Sequence, residues 1–313
     1  MVDLLRACTI EISIDATFGT NKAGHELFGV LAELDGTGVP LLYCFMDSRE
    51  LIAAGKKISL ISKDRAEIAS IEAVWPTAKI QLCYWHVLRA IRQRLGSSKA
   101  STTRGYSPQD AAKIVSGLEH CWGTTESQRH HPPQICSCAS RDRSHVWSAA
   151  GKLECTKEQS KAVIDLISRH FNEHTSFPTI MGTRLDAGQL HQRQAQETLD
   201  LCKAHGWPRV WAYLCSNWYT RGEWELWARA ANESVLILKS TMITESLWRV
   251  IKHDFLHRFA RPRIDLVAHV LRTRVIPAAA QRVTAVLQDS YRAARPAWRA
   301  EFVKTWRRNE VLD

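Results

Sequence analysis

The sequence predicts an α/β fold, with a β-rich N-terminal part followed by a long helical part. Residues 1–86 contain apolar runs of strand length, separated by short connections rich in turn-forming residues. Residues 96–239 instead place their apolar side chains at helical spacing between polar loops. Helical periodicity resumes at residue 242 and continues toward the end of the chain. At 313 residues, the chain has room for one large domain or two of ordinary size.

The first three strands are indicated by alternation and by a turn. Ile10, Ile12 and Ile14 alternate with polar residues, which predicts a strand with one apolar face. Two more apolar runs, ELFGVLAEL and VPLLYCFMD, flank the sequence DGTG. Because Asp-Gly between apolar runs favours a tight turn, these two runs are predicted to form a hairpin.

Further along the chain, strands and helices are predicted in turn. A fourth strand is expected at Lys57–Ile61 and a helix at Asp64–Val74, before Pro76. A fifth strand, residues 79–85, should lead directly into another helix. Met242–Phe259 has the spacing of an amphipathic helix. Its apolar side is formed by Leu247, Val250, Ile251 and Phe255.

Composition and charge limit the classes of function that this chain can have. A chain with 45% hydrophobic and 24% charged residues is globular rather than disordered or fibrous. No apolar run approaches the ~18 residues that a membrane-spanning helix needs, so no membrane partner is expected. Nine cysteines without a C-x-x-C pair indicate reduced thiols, as in the cytosol or nucleus.

The positive charge is concentrated near the C-terminus. The whole chain has a net charge of +10, and residues 246–313 contain 14 Lys and Arg against 6 Asp and Glu. This imbalance favours a polyanionic partner, although a solvated helix face would look the same. The candidate DNA-binding residues are Lys252, His253, His257, Arg258, Arg261 and Arg263.

Two acids are candidates for metal chemistry. Asp15 lies on the first predicted strand, and Glu245 opens a helix in the C-terminal third of the chain. Carboxylates at strand and helix ends can converge and bind Mg²⁺ or Mn²⁺ through oxygen. Surface or capping carboxylates would give the same pattern, so the spacing leaves both interpretations open.

Two further features have both a functional and a structural interpretation. Five aromatic residues, Trp207, Trp211, Trp218, Trp224 and Trp227, could stack on bases, but their near-helical spacing favours core packing. A middle loop could bind zinc, although its spacing fits no standard finger and an irregular loop is the favoured interpretation. The ligands of that zinc site would be His130, His131, Cys136, Cys138 and His145.

Three ordered blocks carry the most specific signal in the sequence. They read IDATFGTNKAGHELFGVLAELDGTGVPLLYCF, KDRAEIASIEAVWPTAKIQLCYWHVLRAIRQRL and TMITESLWRVIKHDFLHRFARPRIDLV. Together they resemble the transposase core of Mutator-like elements (MULEs), in the form common in fungal genomes. The similarity runs from about Ile10 to Arg307 and includes the helical block WAYLCSNWYTRGEWELWARAAN.

The resemblance implies a ribonuclease H-like core with a mixed sheet, a large all-helical insertion and a helical C-terminus. Residues 1–96 would be the N-terminal part of the core, and residues 97–239 the insertion. Residues 240–313 would complete the core with basic helices. In this family, a Cys-x-x-His pair follows the fifth strand, and Cys83 and His86 match it. As a zinc site this pair would be incomplete, and a buried Cys with a helix-capping His is the structural alternative. The functional alternative is that the pair lies next to the catalytic carboxylates and contacts metal or the scissile phosphate.

The resemblance also implies an active site of two Asp and one Glu that bind two divalent ions, Mg²⁺ or Mn²⁺. Asp15 matches the first Asp and Glu245 matches the Glu. The second Asp position, counted back from Trp75-Pro76, is occupied by Ser62, whose neutral hydroxyl is a poor metal ligand. Asp64 is the alternative ligand two residues later.

The expected function is therefore that of a DDE-type transposase-derived protein. Its relatives nick DNA at transposon ends and transfer the strands in the nucleus. Ser62, together with a stretch between Asp47 and Lys57 that is short for the usual crossover helix, predicts impaired catalysis. The alternative is a catalytically inactive DNA-binding remnant or a domesticated nuclear regulator. DNA is the expected partner in both cases, and a homo-oligomer remains open.

Overall fold

The chain forms two compact units. The computed structural model describes residues 11–34, 37–46, 65–74, 76, 79–96, 106–118, 122, 155–178, 182–236 and 238–288. Residues 1–58 and 241–313 make up one unit, here called the sheet unit, and residues 59–240 make up the helical unit. The described residues confirm the mixed α/β class, because they contain helices and one three-stranded antiparallel sheet.

The sheet follows the three predicted runs. Its strands are β1 (Ile12–Thr17), β2 (Glu26–Leu34) and β3 (Thr37–Met46), paired in the order β1-β2-β3. Leu34 pairs with Thr37, which confirms the hairpin at DGTG. The register places Asp15 opposite Gly29, and Gly29 opposite Tyr43.

The helical unit consists of helices of 5 to 18 residues around an aromatic core. Its helices are α1 (Arg65–Val74), α2 (Tyr84–Leu95), α3 (Pro108–Ala112), α4 (Lys157–Asn172), α5 (Ala187–Ala204), α6 (Pro208–Leu214) and α7 (Arg221–Trp227). Capping boxes at Thr156–Gln159 and Asp186–Gln189 fix where α4 and α5 begin. Four of the five clustered tryptophans are fully or almost fully buried in this core, so core packing is the correct interpretation for them. Trp207 is partly buried and stacks on His205.

A buried polar network joins α4, α5 and the turn after α6. The His170 Nδ1 lies 2.7 Å from the Tyr219 hydroxyl, and His170 Nε2 lies 3.0 Å from a Glu197 carboxylate oxygen. Burial lowers the pKa of His170, so the ring is neutral, and its Nε2–H donates to Glu197 while its Nδ1 accepts from Tyr219. That bond, ahead of the one from Arg169, lowers the pKa of Glu197 to about 2.

We expect Tyr219→Phe to lower the free energy of unfolding by about 1–3 kcal/mol, because it leaves the buried His170 Nδ1 without its donor. Urea denaturation followed by circular dichroism measures this change. Tyr84→Phe is the matched control, since the Tyr84 hydroxyl bonds to Ser168 in a partly buried position. An equal loss in both variants would contradict the importance assigned to the buried network.

The predicted fifth strand is wrong. Residues 79–83 belong to no strand of the described sheet, and Tyr84 already begins α2. The backbone N–H groups of Leu82 and Tyr84 donate to Leu226 O at 2.7 Å and Lys239 O at 2.9 Å. These two backbone N–H groups therefore find their acceptors within the helical unit, and they need no neighbouring strand. The helix predicted at Asp64–Val74 is confirmed as α1, whereas the strand at residues 57–61 and the short stretch at 48–57 lie outside the described residues.

Three helices complete the described part of the sheet unit. They are α8 (Met242–Val250), α9 (Ile264–Val270) and α10 (Ile276–Leu287). A π-helical turn, Ile251–Phe255, extends α8, so that the predicted amphipathic helix is present but ends in a wider turn. The most buried side chains of α8 and this turn are Thr244, Trp248 and Ile251. Among the described residues, no helix has the length and apolarity needed to cross a membrane.

The polar face of β1 is the one that packs inward. Ser13 and Asp15 are buried, whereas Ile12 is 42% exposed. The alternation of the strand was predicted, but its apolar residues lie on the more open side. Polar side chains can occupy the buried side because α8 supplies hydrogen-bond partners for them.

Candidate functional site

Asp15 lies on the buried face of β1, an edge strand of the described sheet. It is 7% exposed and stands opposite Gly29 on β2. The space above Gly29 is filled by the indole of Trp248, since a Cβ built on Gly29 would lie 2.7 Å from Trp248 Cη2. Glycine at this position therefore allows α8 to lie close to the strand that carries the acid.

Two hydrogen bonds connect α8 to β1. The Trp248 Nε1–H donates to Asp15 Oδ2 at 3.3 Å, and the hydroxyls of Thr244 and Ser13 lie 2.7 Å apart. The spacing of the two pairs matches: Thr244 and Trp248 are four residues apart, ~6 Å along a helix, and Ser13 and Asp15 are two residues apart, ~6.6 Å along a strand. The two pairs thus fix the position of α8 along β1 and hold the Asp15 carboxylate in one orientation.

The environment of Asp15 favours its protonated form. The pKa of Asp15 is raised from 3.8 to about 6, chiefly by burial and further by the negative charge of Glu245. Hydrogen bonds from the Ala16 backbone and from Trp248 act in the opposite direction but are outweighed. A carboxylate in this environment is stabilised by any cation that reaches it.

Glu245 lies in the first turn of α8 and is exposed. Its backbone N–H donates to Thr241 O at 2.9 Å, and the Thr241 hydroxyl lies 3.5 Å from Glu245 Oε1. Its charge acts on Asp15 even though most of the chain separates the two in sequence. The fold therefore places the helix that carries Glu245 against the strand that carries Asp15.

The other predicted ligands lie outside the described residues. Ser62 and Asp64 lie outside the described residues, as do the histidines and cysteines predicted at positions 130–145. Within the described ranges, no group of three or more His, Cys, Asp or Glu side chains is arranged to hold a metal ion. The described site consists of two carboxylates.

Cys83 and His86 belong to the helical unit. Cys83 is the partly buried N-cap residue of α2, and His86, one turn later, is buried beside the Trp85 ring. The predicted arrangement of a buried Cys with a helix-capping His is therefore wrong, because the two residues occupy each other's expected places. Burial, followed by the charge of Arg89, lowers the pKa of His86 to about 4. The imidazole is therefore neutral near pH 7, which suits a metal ligand as well as a core residue. Its relation to the carboxylates stays a prediction.

The candidate DNA-binding residues follow α8 in the sheet unit. His253, His257, Arg258, Arg261 and Arg263 are exposed, whereas Lys252 is partly buried, which lowers its pKa. Arg263 bonds to Asp265 at 3.1 Å, and Arg258 donates to the His257 ring at 3.3 Å. In the part of the chain that the structure describes, Arg258 and Arg261 form no ion pair with an acid, so their charges are available to a polyanion.

Ser13, Thr244 and Trp248 were not predicted as residues of this site. The signal for the last two was present, because Thr244 and Trp248 are four residues apart and flank Glu245 on the same helix. Their bonding partners on β1 follow from tertiary packing and not from spacing. Comparison with known proteins adds no identification, since no family model, curated protein or solved structure matches the chain.

Proposed function

We propose that this chain is a DDE-type transposase-derived protein of the MULE kind, with a ribonuclease H-like core, a mixed sheet and impaired metal-dependent DNA nicking and strand transfer. One observation carries the proposal: two hydrogen bonds, Trp248 to Asp15 and Thr244 to Ser13, hold α8, which carries Glu245 in its first turn, against the strand that carries Asp15. An antiparallel β1-β2-β3 order, with the acid on the first strand, supports the ribonuclease H-like assignment. Nuclear localisation belongs to the proposal as well.

The donor set fits Mg²⁺ or Mn²⁺, which prefer carboxylate oxygens. Two such ions, when bound, would activate a nucleophilic oxygen and stabilise the leaving oxygen of a phosphodiester. The chain's own contribution is to orient Asp15 through the Trp248 hydrogen bond and to supply the Glu245 carboxylate from the first turn of the same helix. The exposed cations after α8 would hold the phosphate backbone. Ser62 in place of a third carboxylate explains why the activity should be weak.

A calorimetric titration with Mn²⁺ at pH 7.5 tests the pair. We expect the wild-type protein to bind Mn²⁺, and Asp15→Ala and Glu245→Ala each to lose at least ~10-fold in affinity, because each removes a charged oxygen ligand. Asp254→Ala is the matched control, since Asp254 is an exposed acid in the turn that follows the same helix. Circular dichroism confirms that each variant is folded.

Absence of Mn²⁺ binding by the folded wild type, or unchanged binding in both variants, would overturn the proposed active site. The alternative would then be a catalytically inactive DNA-binding remnant or a domesticated nuclear regulator. The exposed Arg258 and Arg261 favour that second function, because neither needs a metal to bind phosphate. Zinc at Cys83 and His86 is the weaker cofactor alternative, since two ligands do not complete a tetrahedral site.

A further inference from the structure

A surface of the sheet unit is formed by two loops that meet. The first is the β1–β2 connection, residues 18–25, and the second is the segment 256–263 after α8. The backbone N–H of Lys22 donates to Pro262 O at 2.7 Å, and Pro262 is buried. The two loops are therefore one continuous feature of this unit, here called the paired-loop surface.

The paired-loop surface is rigidly built. The Asn21 side chain closes the first loop, because its amide donates to His25 O at 2.7 Å and its carbonyl accepts from the His25 N–H at 3.1 Å. In the second loop, Arg261 adopts φ 51°, the left-handed conformation that non-glycine residues rarely take. Such backbone strain persists only where the surroundings enforce it, and it is concentrated at functional sites.

Each loop exposes one phenylalanine. Phe18 is 50% exposed and Phe259 is 42% exposed. A single exposed apolar residue needs no explanation. Here, however, the two rings stand on two loops that hydrogen-bond to each other, and fixed loops keep each ring presented to solvent.

The charged residues of the two segments are all basic. The two segments contain Lys22, Arg258, Arg261 and Arg263 and no Asp or Glu. Arg263 is engaged by Asp265, whereas Lys22, Arg258 and Arg261 are exposed and form no ion pair within the described part of the chain. The surface therefore combines aromatic faces with cations, which is the combination that binds single-stranded nucleic acid.

We propose that the paired-loop surface binds unpaired DNA bases, which stack on Phe18 and Phe259 while the cations contact the adjoining phosphates. The inference rests on the proposed DNA partner and adds the form of DNA that is recognised. A base inside a duplex already stacks on its neighbours, so only an unpaired or frayed base can meet a phenylalanine face. Phe18 is three residues beyond Asp15, about 10 Å along the chain at strand spacing. The surface would thus hold a DNA end that is melted close to the carboxylates.

Fluorescence anisotropy with labelled oligonucleotides, in EDTA, tests the proposal independently of the metal site. The probes are a 16-nucleotide single strand, the blunt duplex of the same sequence and that duplex with a six-nucleotide overhang. We expect the single strand and the overhang to bind at least ~5-fold more tightly than the blunt duplex. Replacing both Phe18 and Phe259 with alanine should weaken binding of the single strand by ~10- to 100-fold, since each ring stacks on one base. The affinity of this double variant for the blunt duplex should stay within about twofold of the wild-type affinity.

Two further variants separate stacking from other effects. Phe177→Ala is the matched control, because Phe177 is similarly exposed, at 40%, but lies in the helical unit, and it should leave all three affinities unchanged. Leucine at both positions should weaken single-strand binding nearly as much as alanine, since leucine has no ring to stack. The proposal would be overturned if the leucine variant bound the single strand tightly or if the wild-type protein preferred the blunt duplex. It would also be overturned if polyglutamate competed for the surface as effectively as unlabelled single strand. Failure of Mn²⁺ binding would leave this measurement unaffected.

Discussion

Trp248→Ala should lower the free energy of unfolding of the sheet unit by about 3–5 kcal/mol. The Trp248 ring is buried, fills the space above Gly29 and lies 6.3 Å, centroid to centroid, from Tyr43. Its removal would leave a cavity between α8 and the sheet and would also remove the indole donor to Asp15. Urea denaturation, together with hydrogen exchange of the β1 and β2 amides, measures the loss in this unit.

The matched control for Trp248→Ala is Met242→Ala, because Met242 lies on the same helix but is largely exposed. We expect this change to stay within about 0.5 kcal/mol of the wild type. Trp248→Phe should fall between the two, because it keeps part of the packing and loses the hydrogen bond. A Trp248→Ala variant as stable as Met242→Ala would mean that α8 does not rest on this face of the sheet.

The three strands were predictable because their signals are local. The alternation at Ile12 and Ile14 is visible from neighbouring residues alone, and it correctly predicted β1. The Asp35-Gly36 pair is equally local, and it correctly predicted the β2–β3 hairpin. The buried side of β1 was not predictable in the same way. It depends on Thr244 and Trp248, which lie far away in sequence and make the polar side of the strand the packed one.

The fifth strand shows how tertiary contacts override local propensity. The run of residues 79–85 has strand-like composition, yet Gln81 and Leu82 bond to the backbone near α7. Once these groups are satisfied, no sheet ladder is needed.

In the candidate site, Asp15 and Glu245 were both predicted from the sequence, by residue type and by position. The residues that orient them were not, because hydrogen bonds between distant elements leave no periodic trace.

Asp15→Asn should make the protein more stable at pH 7, by as much as about 3 kcal/mol. The folded state holds the pKa of Asp15 at about 6, against 3.8 for an unburied Asp, and each pKa unit corresponds to about 1.4 kcal/mol. Between pH 4 and pH 6 the folded form binds more protons than the unfolded form, so wild-type stability falls as the pH rises through this range. Asparagine is neutral throughout, and its side-chain oxygen can still accept from Trp248.

Urea denaturation at several pH values between 3.5 and 7.5 measures both parts of this prediction. The Asp15→Asn variant should match the wild type near pH 3.5, exceed it increasingly up to pH 6 and keep a constant advantage above that. Asp265→Asn, which changes an exposed acid paired with Arg263, should produce no such gain. A variant that is less stable than the wild type at pH 7 would show that the carboxylate has a compensating positive partner. A gain would instead mean that the fold holds a charge at a cost to its own stability, which is expected where a carboxylate serves to bind a cation.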